Sequence, residues 1–164
     1  MNTSPAHDAD GWATGPNQLP KDHDDARRDP ARYAVGYQQR VLWSDLDVLR
    51  HVNNGAIGRL FEEGRAQTND LIFDRVAHRP DRPVLMLVRL TIEFLAEGHY
   101  PGEIAIRTGV ARIGKSSLLY WQAAFQDNRC IALGEAVMVK TADGRPVDLS
   151  PTERHSASKL DVPQ

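Results

Sequence analysis

Hydrophobic and polar positions alternate by twos from Tyr33 to Trp43, with Val35, Tyr37, Gln39 and Val41 set against Gly36, Gln38, Arg40 and Leu42, and this predicts a strand. After Asn53 and Asn54 the period changes. In GAIGRLFEEGRAQTNDLIF the positions Ile57, Leu60, Phe61, Gly64, Thr68, Leu71 and Ile72 recur at threes and fours, as on one face of a helix, and either asparagine can cap it. Gly55, Gly58 and Gly64 each cost such a helix up to about 1 kcal/mol relative to alanine, which predicts close packing onto a sheet in return. Pro80 and Pro83 end the connection that follows. Strand patterns then come in succession, VLMLVRLTIEFLAE, GEIAIRTGVARI, SLLYWQAAFQ and CIALGEAVMVKT, separated by turn signals at HYPGE, GKS and QDNR. A strand, one long helix and four further strands predict an α+β class in which a curved antiparallel sheet wraps the helix. The stretch Val84 to Leu90 is apolar on both faces, so a second subunit is expected against it.

The two ends depart from this pattern. Residues 1–32 are rich in Asp, Pro, Gly, His and Asn, with Trp12 and little aliphatic content, and are expected to form a flexible tail; residues 152–164 read as a polar C-terminal tail. The folded domain is therefore expected over 33–151. A chain of 164 residues, 41% hydrophobic and 26% charged, suits one domain. A formal charge of −2 calls for neither nucleic acid nor an anionic membrane as partner. No apolar run approaches the ~20 residues of a membrane span, and the first residues lack the pattern of a signal peptide. Cys130 stands alone, excludes an intrachain disulfide and reads as a small core residue; cytoplasm is the expected location.

Chemistry concentrates in DLDVLRHVNN. Asp45, Asp47, His51, Asn53 and Asn54 crowd the turn between the first strand and the helix, where free backbone N–H groups meet reactive side chains. A carboxylate there can act as nucleophile or general base, and the N–H groups from about Asn54 to Ala56 can bind an oxyanion, with Gly55 leaving room for a carbonyl. Asp45 reads as a residue that holds the turn. Asp47 reads either as reactive or as a simple turn residue, and His51 either as orienting Asp47 and lining a pocket or as a structural histidine.

The runs WSDLDVLRHVNN and RLFEEGR, with TIEFLAEGHYPGE, RIGKSS, FQDNRCIALGEAVMV and DGRPVDL, resemble the hot dog fold acyl-CoA thioesterases, in the branch similar to 4-hydroxybenzoyl-CoA thioesterase. The resemblance runs from about Tyr37 to Pro151. It implies a hot dog domain, hydrolysis of an acyl-CoA thioester to a free acid and CoA, and Asp47 as the catalytic carboxylate. Also implied are an active site at the interface of a homodimer or homotetramer, no cofactor and no metal. His51, Asn54 and the helix carboxylate Glu63 join Asp47 as catalytic candidates; Asn53, Gly55 and Ile57 join the substrate site. Arg50 stands where relatives usually carry a small residue, often glycine.

GVARIGKS also satisfies the phosphate-loop pattern, but that loop must leave a parallel strand and open a helix. SLLYWQAAFQ reads as well by twos and runs into another turn, so RIGKSS is taken as a strand-to-strand turn. Its Arg112, Lys115, Ser116 and Ser117 become candidates for the CoA phosphates. Two other functions remain open: hydrolysis of acyl groups on acyl carrier protein, and a non-catalytic acyl-CoA binding or sensing module.

Overall fold

The computed structural model describes residues 25–73 and 84–162. Trp12, Pro80 and Pro83, and most of the expected N-terminal tail, lie outside them. In chain order the elements are β1 (Val35–Arg40), α1 (Asn54–Ile72), β2 (Val84–Phe94), β3 (Glu103–Ile113), β4 (Ser117–Gln126), β5 (Arg129–Ala142), the short β6 (Arg145–Pro146) and α2 (Pro151–Ser158). The strands pair antiparallel in the order β1-β3-β4-β5-β2, with β6 on β5. The sheet curls around α1, giving the α+β layout expected from the sequence. No helix among the described residues is long and apolar enough to cross a membrane.

Helix α1 buries Ala56, Ile57, Leu60, Phe61, Gly64, Arg65, Thr68 and Ile72 against the concave face. Leu71, expected on that face, is 59% exposed instead. Of the three glycines, Gly64 is the one that packing demands: a Cβ there would lie 2.7 Å from Thr108 Oγ1 and 3.0 Å from Ile106 Cγ2. Gly134 on β5 serves the same end, since a Cβ would sit 3.0 Å from the Phe61 ring. The contact is partly polar. Gln122 Nε2 donates to Phe61 O at 2.8 Å and to Thr108 Oγ1 at 3.0 Å, while its Oε1 accepts from Arg65 Nη1 at 2.7 Å. Burial pushes the Arg65 guanidinium below its ordinary pKa.

The first strand is shorter than its alternation suggests. Asp45 Oδ2 accepts from Leu42 N at 2.9 Å and turns Trp43–Asp45 into a 3-10 helix. The two ends also differ from the expected tails. Residues 26–28 and 30–32 form 3-10 turns capped by Asp25 and Asp29, and Arg27 reaches Asp25 at 2.6 Å and Glu93 at 3.1 Å. The polar C-terminal tail is instead helix α2, opened by a capping box of Ser150 and Glu153 with proline at its first position. Ala157 of α2 and Val162 beyond it enter the core; Val162 occupies the space that glycine leaves at position 109.

Strand β2 forms one edge of the sheet and leaves Val84, Met86, Leu87, Val88, Leu90 and Phe94 exposed. Cys130 is partly buried and burial pushes its thiol up to about 11, consistent with an unreactive packing residue.

Replacing Gly64 by alanine should lower stability by about 1–3 kcal/mol through overpacking against Thr108 and Ile106, although alanine is the better helix former. Urea denaturation measures this; an unchanged or raised midpoint would show that the helix does not rely on that approach.

Candidate active site

The turn that β1 delivers is held together mostly by its own backbone. Asp47 N donates to His51 O at 2.9 Å and Arg50 N to Asp47 O at 3.0 Å, while Leu46 and Val52 form an antiparallel bridge. This is a tight hairpin with three residues at its tip, and such loops need one residue in the left-handed region. Arg50 takes it, with φ 63°. Glycine would enter this region without steric cost, and Arg50 is left exposed.

Asp47 Oδ1 accepts from Leu49 N at 2.8 Å and from His51 N at 3.1 Å, so it serves as an Asx-type turn residue. Its Oδ2 accepts no hydrogen bond among the described residues. Asp45 is 9% exposed and structural: besides capping Leu42 it pairs with Arg59 Nη2 at 2.7 Å, and its carbonyl accepts from Asn53 N at 2.8 Å.

Asn53 is the N-cap of α1, its Oδ1 accepting from Gly55 N at 2.7 Å. Ala56 N donates to Asn53 O at 2.9 Å. Two of the three expected oxyanion donors are thus already spent, which leaves the N–H of Asn54, an orphan of the first helical turn.

The wall opposite is the 95–99 segment after β2, fixed from several sides. Leu95 N and Ala96 N donate to Ile131 O, Gly98 O accepts from Val52 N at 2.8 Å, and the Gln126 amide bonds both N and O of His99. Between the walls lies a cavity of about 380 Å³, within the range of small-molecule sites. Asp47, His51, Asn54 and Glu97 bring polar groups to it, and Val52, Ile57, Phe94, Leu95, Ala96 and Ile131 apolar ones.

Asp47, His51, Asn54 and Ile57 are therefore brought together, with Asn53 and Gly55 shaping the helix start. Glu63 is not at the cavity; it is exposed and accepts from Gln67 at 3.1 Å. Arg112, Lys115, Ser116 and Ser117 do surround a strand-to-strand turn, between antiparallel β3 and β4, which rules out the phosphate-loop geometry. They lie at the opposite end of the sheet, where Lys115 Nζ is 3.5 Å from Asp148 and Arg154 Nη2 donates to Gly114 O. Glu97 is the ionisable cavity residue that the sequence reading missed; the signal was a carboxylate beside the turn-like GHYPG.

A sequence profile of the thioesterase-like superfamily matches residues 41–155, from the end of β1 into α2. The chain belongs to that superfamily. It is a thioester hydrolase. A thioesterase superfamily protein from a Jannaschia species is 25% identical, with a TM-score of 0.73 over 83% of this chain and 88% of that one. A thioesterase from Thermus thermophilus, solved in complex with coenzyme A and Zn, is 23% identical, with a TM-score of 0.71 over 79% and 95%. A DHNA-CoA thioesterase from Staphylococcus aureus is 15% identical, with a TM-score of 0.67 over 76% and 89%. The last two bear on the fold alone, and the expected hot dog architecture holds. No functionally curated protein matches the sequence.

For this thioesterase-like turn, Arg50→Gly should raise stability by up to about 1 kcal/mol, because glycine enters the left-handed region without the steric cost of a Cβ. A lower chemical-denaturation midpoint for the variant would mean that the arginine side chain holds the turn.

Proposed function

We propose that this chain hydrolyses acyl-CoA thioesters to a free carboxylic acid and CoA, with Asp47 as the reactive carboxylate. One observation carries the reading: Asp47 and Asn54, whose N–H is unspent, line the same cavity. A thioester carbonyl seated between them would meet a nucleophile, or a general base for water, on one side and an oxyanion donor on the other. Helix α1 directs its N-terminus at that oxyanion, which adds to the stabilisation. Because Oδ1 of Asp47 is committed to the turn, Oδ2 is the oxygen assigned to the chemistry.

The assembly we propose is a homodimer formed through the apolar edge strand β2, with a tetramer as its further step. Unpaired edge groups beside exposed Val84, Met86, Val88 and Leu90 suit strand-to-strand pairing. Strand β2 runs from the end of the sheet near the Gly114–Ser116 turn, where Val84 pairs with Thr141, to the cavity at Phe94. Antiparallel pairing of two β2 edges about a two-fold axis carries the Arg112–Ser117 turn of one subunit toward the Asp47 end of the other. That is how Arg112, Lys115, Ser116 and Ser117, remote from Asp47 within one protomer, would serve the CoA phosphates. Cytoplasm is the compartment assigned, given the single cysteine.

Asn keeps an Oδ1 acceptor for Leu49 and His51, so Asp47→Asn removes the carboxylate while preserving the turn. Turnover of an acyl-CoA panel, followed by thiol release, should fall by about 100-fold or more in this variant, with an unchanged melting temperature. Equal activity would move the chemistry elsewhere. Release from acylated carrier protein but not from acyl-CoA would favour the carrier-protein reading, and binding without turnover the sensing module.

Val88 is 59% exposed, so Val88→Asp should spare the protomer yet place like charges across the β2 edge. Sedimentation should show a monomer, with at least about tenfold lower turnover if the site needs both subunits. An oligomer that survives this change would place the interface elsewhere.

A further inference from the structure

Glu97 projects into the same cavity as Asp47 and has a neighbour there on which it can act. Its Oε2 lies 3.4 Å from His51 Nε2, an ion-pair distance, with the imidazole 31% and the carboxylate 64% exposed. The His51 ring is otherwise met by the His99 ring, edge to face, with centroids 5.4 Å apart. Asp47 holds only the main chain of His51, taking its N–H and donating to its carbonyl. Glu97 is therefore the carboxylate aimed at the ring itself.

We infer that Glu97 is a positioning residue for His51: by accepting the Nε2–H it fixes the tautomer that leaves Nδ1 as the basic nitrogen of the cavity. The role rests on the hydrolase reading above and deepens it. Hydrolysis breaks the C–S bond, forms a C–O bond and consumes one water. One proton of that water ends on the departing sulfur, and the other is released to solvent as the acid ionises. With Asp47 acting as general base, the proton it takes from the attacking water passes through His51 Nδ1 to the departing thiolate, while the Nε2–H remains donated to Glu97. A carboxylate that selects the tautomer of an imidazole is a general device for such transfers, and the longer distance in the free protein tightens once substrate excludes water.

The backbone around Glu97 makes the assignment testable, because the segment is pinned by Gly98 O, by Ile131 O and by the Gln126 amide rather than by the Glu97 side chain. Glu97→Ala should therefore fold normally. Long-range 15N–1H spectra of the histidine-labelled protein should show His51 as the Nε2–H tautomer in the wild type and a mixture in Glu97→Ala. With the acyl-CoA that the panel ranks first, Glu97→Ala should lower kcat about tenfold or more with KM changed less than about twofold, and Glu97→Gln, whose amide oxygen accepts the same N–H, should recover part of the loss. In a His51→Gln background Glu97→Ala should cost nothing further, since the pair acts as a unit.

An identical His51 tautomer in wild type and Glu97→Ala, or a Glu97→Ala loss that multiplies with that of His51→Gln, would overturn the assignment. A wild type that turns over no thioester would sink the hydrolase reading, whereas the tautomer comparison decides the Glu97–His51 pair without any turnover.

Discussion

Everything in this fold depends on how closely α1 approaches the concave face of the sheet. Two missing side chains allow it: Gly64 on the helix sits over Thr108 and Ile106, and Gly134 on β5 leaves room for the Phe61 ring. A glycine inside a helix is costly on its own, and the return is dispersion contact together with a polar lock that sets the helix along its axis. Gln122 is that lock, fully buried and bonded to Phe61 O, Thr108 and Arg65 at once. A buried amide with its partners satisfied tolerates little sliding, because a shift would leave it unpaired.

The axial position of α1 in turn decides where its first turn points. Asn53 caps the helix and is itself tied to Asp45 O, and Asp45 is tied to Leu42 and Arg59, so the helix start and the Asp47 turn form one hydrogen-bonded body. In the proposed mechanism Asp47 does two jobs within it. One carboxylate oxygen completes the hairpin and the other is left to the cavity, so structure and chemistry need not compete for the same atom. Backbone strain at Arg50 is confined to the tip of that hairpin, next to the cavity-lining His51, while Arg50 itself does not line the cavity.

Much of this was readable before folding. The period of two to Arg40, the period of three and four from Ile57 to Ile72, and the later strands each matched an element, because the burial of one face imposes its own spacing on the sequence. Leu71 misled, since an apolar residue at the margin of the stripe need not face inward. The C-terminal helix was overlooked although Ser150, Pro151 and Glu153 spell a capping box, because short polar helices carry little hydrophobic period. The first turns at 26–32 escaped for a similar reason: they dock through the Arg27 ion pairs with Glu93 and Glu135, which no local pattern reveals.

The sequence by itself determined the local devices: which segments are strands, that one long helix follows a turn dense in carboxylate, imidazole and amide groups, and that glycine-containing RIGKS joins two strands. Those are set by nearest-neighbour sterics and by periodicity, which act over a few residues. Tertiary structure alone decided which distant segments share a cavity. The 95–99 loop stands beside the Asp47 turn because Gly98 O accepts from Val52 N and because Gln126 grips His99, and these bonds exist only once the sheet has its register. The same register sends the Arg112–Ser117 turn to the far end of the sheet. Glu97 thus became a cavity residue, and the candidate phosphate-binding residues did not, through non-local pairing that a linear reading does not contain.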